Sequence, residues 1–91
     1  MAEFLVELYV ARSDGAGAER RGDRARLAAE QLAHEGVPVR YVRSIFVPED
    51  ETCFYLYEAS SPDVVREAAR RAGFTSERVT EAVPDTQGGT R

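Results

Sequence analysis

The sequence predicts an α+β fold of the ferredoxin-like kind, β-α-β-β-α-β, with four antiparallel strands and both helices on one face. Three observations predict it. β-branched and aromatic runs of strand length occupy residues 4–10, 37–47 and 51–59. Two alanine-rich stretches with apolar residues at three- and four-residue spacing follow the first and the third of these runs, each ended by a glycine. The second and third runs are separated only by a short acidic corner, which leaves room for a hairpin and nothing else.

The first strand is "FLVELYV", with Phe4, Val6, Leu8 and Val10 on one side and Leu5, Glu7 and Tyr9 on the other. "ARSDGAGAE" follows as a loop. The spacing predicts a helix over Ala18–Glu35, with Ala25, Ala28, Ala29, Leu32 and Ala33 as its apolar stripe. Asp23 is a candidate N-cap, and Gly36 is placed to end the helix. "VPVRYVRSIFV" is the second strand, with Pro38 tolerable at its beginning. The corner at Pro48 turns the chain into "ETCFYLYEA". The second helix is the clearest element. Ser61 caps it, Pro62 takes the first helical position, and Asp63 suits the positive end of the dipole. Val64, Val65, Ala68, Ala69 and Ala72 form its buried stripe, and Gly73 closes it. "ERVTEAV" is a short last strand. One domain spans residues 1–83, and 84–91 is expected to be a disordered tail.

Composition sets the broad class. Apolar residues make 43% and charged residues 31% of 91 positions, as in an ordinary small globular domain. The net charge of −4 and the absence of a basic run argue against nucleic acid. No apolar run approaches the length of a membrane span. The N-terminus lacks the basic start of a signal peptide, and a cytoplasmic location is expected. A single cysteine forms no internal disulfide.

Strict alternation through the hairpin puts Phe54 and Leu56 with Val42 and Phe46 against the helices. Tyr41, Arg43 and Ile45 then fall beside Cys53, Tyr55 and Tyr57 on the opposite face, together with Glu7 and Tyr9. That aromatic and polar face reads as a dimer interface or as a small-molecule pocket lined by Glu7, Tyr9, Tyr41, Arg43, Cys53, Tyr55 and Tyr57. Arg43 is placed to pair with Glu7, to stack on Tyr55 or Tyr57, or to hold an anion.

"TCFYLYEA", "SSPDVVREAARRAGF" and "ERVTEA" carry a strong resemblance to a family of small bacterial nickel-binding or nickel-responsive proteins, formerly a domain of unknown function. It extends from about Glu3 to Val83. The resemblance implies a dimeric ferredoxin-like fold of the α/β-barrel type and nickel as the metal, and it implies no particular enzymatic activity. Nickel-binding members are histidine-rich near the first strand; here that segment reads "ELYVARSDG", without histidine.

The remaining metal candidates are His34 and Cys53, the only histidine and the only cysteine. His34 in the last helical turn suits the negative helix end. Cys53 reads as a half-buried strand residue, or as a soft ligand or redox-sensitive thiol. Predicted on opposite sides of the sheet, the two do not converge within one subunit. Glu49-Asp50-Glu51 reads as a solvated turn. The expectation is a non-enzymatic homodimer that binds a small molecule or metal ion. The rivals are a cofactor-independent dimeric α/β-barrel enzyme, monooxygenase- or isomerase-like, on a small aromatic substrate, and an interaction or regulatory subunit.

Overall fold

The computed structural model describes residues 1–75 and 78–83. The expected tail at 84–91 lies outside them. The order is β1 (Ala2–Tyr9), α1 (Gly15–His34), β2 (Val39–Val47), a single 3₁₀ turn (Pro48–Asp50), β3 (Thr52–Ala59), α2 (Pro62–Arg71) and β4 (Arg78–Ala82). The four strands form one antiparallel sheet in the order β2-β3-β1-β4, the expected ferredoxin-like architecture.

Both helices begin on a side-chain oxygen and end on a left-handed glycine. Ser61 accepts from the Val64 amide at 3.4 Å, with Pro62 at the first position as expected. For α1 the cap is Asp14, which accepts from the Gly17 amide at 3.0 Å. The helix therefore starts upstream of Ala18, and Asp23 lies inside it as a surface residue paired with Arg26. Gly36 and Gly73 adopt φ of +90° and +85°. At each end the next residue folds back: Val37 donates to Leu32 and Phe74 to Ala69, both at 3.0 Å. This satisfies helix carbonyls that would otherwise lack partners.

The core lies between the helices and one face of the sheet. The sheet contributes Phe4, Val6, Leu8, Val39, Cys53, Tyr55, Tyr57 and Ala59; the helices contribute mainly alanines, with Leu32 and Val65, and Phe74 joins them from just past the end of α2. Ala33, expected in the α1 stripe, is exposed. The pairing explains the composition. Large sheet side chains require small helical partners at the helix–sheet distance, because interiors fill space at crystal-like density. Gly22 is the extreme case: a Cβ there would meet the Tyr41 hydroxyl at 3.2 Å and the Tyr55 ring at 3.9 Å.

The hairpin corrects the sequence expectation. Register pairs Phe4 with Tyr57, Val6 with Tyr55 and Leu8 with Cys53, so these six share the helix-covered face. Cys53, Tyr55 and Tyr57 are 0% exposed, whereas Phe54 and Leu56 lie on the opposite, uncovered face. The expectation grouped Phe46 with Phe54, but next to the turn Phe46 opposes Cys53 and Ile45 opposes Phe54. A bulge shifts the register between Tyr41 and Arg43, so Tyr41 opposes Tyr57 while Arg43 opposes Leu56. Tyr41 turns toward the helices with Ser44 and Phe46, and Arg43 turns away with Ile45. One extra residue inverts the phase of everything after it.

Candidate functional site

The two faces of the sheet differ in chemistry. On the open face β3 presents Thr52, Phe54, Leu56 and Glu58, β1 presents Glu3, Leu5, Glu7 and Tyr9, and β2 presents Arg40, Arg43, Ile45 and Val47. Two rows run across the sheet. One is Arg43–Leu56–Leu5–Thr80; the other is Ile45–Phe54–Glu7–Arg78. The centre is thus apolar, formed by Leu5, Phe54 and Leu56, with Ile45 at 41% exposure beside it.

Of the residues expected on this face, Glu7, Tyr9 and Arg43 are there; Tyr41, Cys53, Tyr55 and Tyr57 are not. Arg43 and Glu7 do not pair within the chain, because β3 stands between their strands. That separates them by about 10 Å, two strand spacings. Arg43 cannot stack on Tyr55 or Tyr57, which lie across the sheet. Arg40, by contrast, closes on Glu58 at 2.8 Å.

Beneath the helices the tyrosines form a structural set. The Tyr55 hydroxyl donates to the Ala18 carbonyl at 3.1 Å, and its ring packs on Phe74 at 5.1 Å. Tyr57 packs edge-on against Tyr41 at 5.5 Å, and its buried hydroxyl has no partner among the described residues. Burial pushes the Tyr57 and Tyr55 phenols well above the usual tyrosine range, and pushes the Cys53 thiol up as well. A raised thiol is less thiolate at neutral pH, the reverse of what nucleophilic or redox chemistry needs.

The two metal candidates lie on the same side of the sheet, which corrects the expectation of opposite sides, but they do not meet. Cys53 is sealed in the core, within the field of Arg21 in α1. His34 is exposed at the last turn of the same helix. Thirteen residues of helix separate Arg21 from His34, about 20 Å of rise. Among the described residues no group of three or more His, Cys, Asp or Glu is arranged to hold a metal ion.

A family model described as nickel responsive protein SCO4226-like matches residues 8–82, well over half of the chain. The chain belongs to this family. No curated protein and no solved structure matches it. Nickel is therefore implied by family, and the donor set of a single SCO4226-like chain with this sequence does not fit it: its one imidazole is exposed at the end of α1, while its one thiol is sealed in the core.

Sequence reasoning missed two features. Glu51, read as a turn residue, has φ +48° and ties three segments together. Its carbonyl accepts from the Val10 amide at 3.0 Å, and its carboxylate accepts from the Arg12 amide at 3.0 Å and the Tyr9 hydroxyl at 3.4 Å. No local pattern marks such a long-range tie. The second is a cleft beside Arg21 and Arg24, bordered by Leu8, Tyr9, Gly73, Phe74 and Thr75. It forms only when α1 and the end of α2 are brought over β1. Among the described residues, no helix is long and apolar enough to cross a membrane.

Proposed function

We propose that this SCO4226-like protein is a non-enzymatic homodimer that joins two copies through the open sheet face. A small ligand would bind in the space enclosed, with Glu7, Tyr9 and Arg43 supplying its polar contacts. The observation that carries the reading is the uncovered apolar centre, Leu5, Ile45, Phe54 and Leu56. Both helices cover the other side, so nothing in the described chain shields these residues. A contiguous apolar patch rimmed by charge marks an interaction surface. A two-fold copy presents the same patch and satisfies it. It also lets Arg43 of one copy meet Glu7 of the other, a pair that one chain cannot make. The catalytic alternative placed tyrosines in the cavity; three of the four now lie on the far side of the sheet.

The test is sedimentation of wild type and Phe54→Asp. Wild type should be a dimer at tens of micromolar, roughly the range where a moderate interface is occupied. Phe54→Asp should be a folded monomer, with unchanged helical circular dichroism. A monomeric wild type at that concentration, or a variant as dimeric as wild type, would overturn the proposal.

A further inference from the structure

The chain carries a net charge of −4, yet Arg20, Arg21 and Arg24 crowd one corner of α1. The exposed arginines elsewhere on the helices are matched: Arg26 with Asp23 and Glu30, Arg66 with Asp63, Arg70 with Glu67, and Arg71 with Glu35 and Glu67. At this corner the described carboxylate in reach is Asp14, and its contact with Arg21 is long, 3.7 Å. These arginines border a cavity. A cleft of about 320 Å³ is lined by Arg21 and Arg24 on one side and by Gly73, Phe74 and Thr75 on the other, with Leu8 and Tyr9 from the end of β1. A recess of about 120 Å³ adjoins it and shares both arginines.

The geometry is built rather than incidental. Arg21 and Arg24 are three residues apart, so they project from one face of α1. Leu8 and Phe74 are both 7% exposed and give the cleft an apolar floor. Phe74 is fixed there by the hydrogen bond its backbone amide donates to the Ala69 carbonyl and by its ring packing on Tyr55. Gly73 has no side chain to narrow the opening, and its φ of +85° strains any replacement. A guanidinium presents planar paired donors that match an oxyanion. Two of them over an apolar floor define a ligand with an anionic head and an apolar body.

We propose that this cleft is a binding site for a small organic acid, with its carboxylate or phosphate held by Arg21 and Arg24 and its apolar body against Leu8 and Phe74. The site lies on the helix side of the sheet and, apart from Tyr9 at the end of β1, shares no residue with the open face proposed above as the dimer interface.

Calorimetry in phosphate-free, low-salt buffer tests it with four probes: sodium benzoate, phenyl phosphate, inorganic phosphate and benzyl alcohol. Benzoate or phenyl phosphate should bind one per chain, with inorganic phosphate weaker and benzyl alcohol not binding. The double variant Arg21→Gln/Arg24→Gln should weaken the organic anion by about tenfold or more, the loss expected for charge-assisted pairs. Arg26→Gln, which removes a charge outside the cleft, should bind as wild type. Amide shifts induced by the anion in the wild-type protein should centre on Leu8, Gly73 and Thr75. Those shifts decide the matter even if the double variant fails to fold. The proposal fails if neither organic anion binds, if benzyl alcohol or inorganic phosphate binds equally well, if the folded double variant matches wild type, or if the shifts map to Leu5, Phe54 and Leu56.

Discussion

Tyr55 and Tyr57 are two residues apart on one strand, equally buried, and should respond oppositely to loss of the same oxygen. Tyr55 donates its hydroxyl to the Ala18 carbonyl at 3.1 Å. Tyr55→Phe removes that bond, and the carbonyl keeps its own helical partner, so the cost is that of one ordinary hydrogen bond, about 0.5–1.5 kcal/mol. Tyr57 keeps a buried hydroxyl with no partner among the described residues. Leaving such a group buried costs about 1–3 kcal/mol, which Tyr57→Phe should remove. The ring volume and the edge-on contact with Tyr41 at 5.5 Å survive in both variants. The expected gap is about 1.5 kcal/mol or more, with Tyr57→Phe the more stable. For a domain of this size that corresponds to roughly 6–12 °C in Tm. Urea melts at pH 7, followed by far-ultraviolet circular dichroism, measure it directly. Equal destabilisation by the two substitutions would refute the reasoning, since it would require the Tyr57 hydroxyl to be as well bonded as that of Tyr55.

Three further outcomes follow from the same physics. Nickel chloride titrated at pH 7 should show no tight site of one ion per chain; such a site, abolished by His34→Ala, would overturn the separation argued between His34 and Cys53. Cys53 should resist iodoacetamide in the folded protein and react once urea unfolds it, because burial both shields the thiol and raises its pKa; rapid native labelling, read by mass spectrometry, would contradict this. Arg70 and Arg71 pull the Glu67 carboxyl down to about 2. A depressed carboxylate supports the fold above its unfolded value and loses that support as pH falls, here between about 4.5 and 2. Glu67→Gln should therefore flatten that part of the acid limb of a urea-midpoint profile; an unchanged limb would show that solvent screens the cluster.

The topology was legible because its signals are local. Ser61-Pro62-Asp63 starts a helix by capping chemistry, Gly36 and Gly73 stop helices by their backbone freedom, and the acidic corner limits β2 and β3 to a hairpin. The open face was not legible in the same way. Tyr and Cys suit either a core or an interface, so β3 offers two apolar sides and no polar one. Alternation alone cannot choose between those two sides, and it cannot detect an extra residue at Val42. A better signal was present in the helices. Ala25, Ala28, Ala29, Ala68, Ala69 and Ala72 leave space that Tyr55 and Tyr57 fill and that Leu56 would fill less well. Gly22 within α1 marks where a tyrosine passes close. Of the expected polar residues, Glu7, Tyr9 and Arg43 were placed on the correct face. The Arg21–Arg24 cleft joins positions far apart in sequence, and no spacing announces it.

The extra residue in β2 also sets which changes of chain length the fold can absorb. A strand that alternates cannot lose a residue without turning its remainder over, so a deletion within β1 or β3 would drive polar groups beneath the helices. β2 is different at Val42. Tyr41 already faces inward and Arg43 outward, with Val42 outside the ladder between them. Excising Val42 alone would leave Tyr41, Arg43, Ser44, Ile45 and Phe46 in unbroken alternation, each on the side it now occupies. The bulge is thus a length reserve at the sheet's edge, where β2 could shorten by one position while every inward and outward assignment is kept.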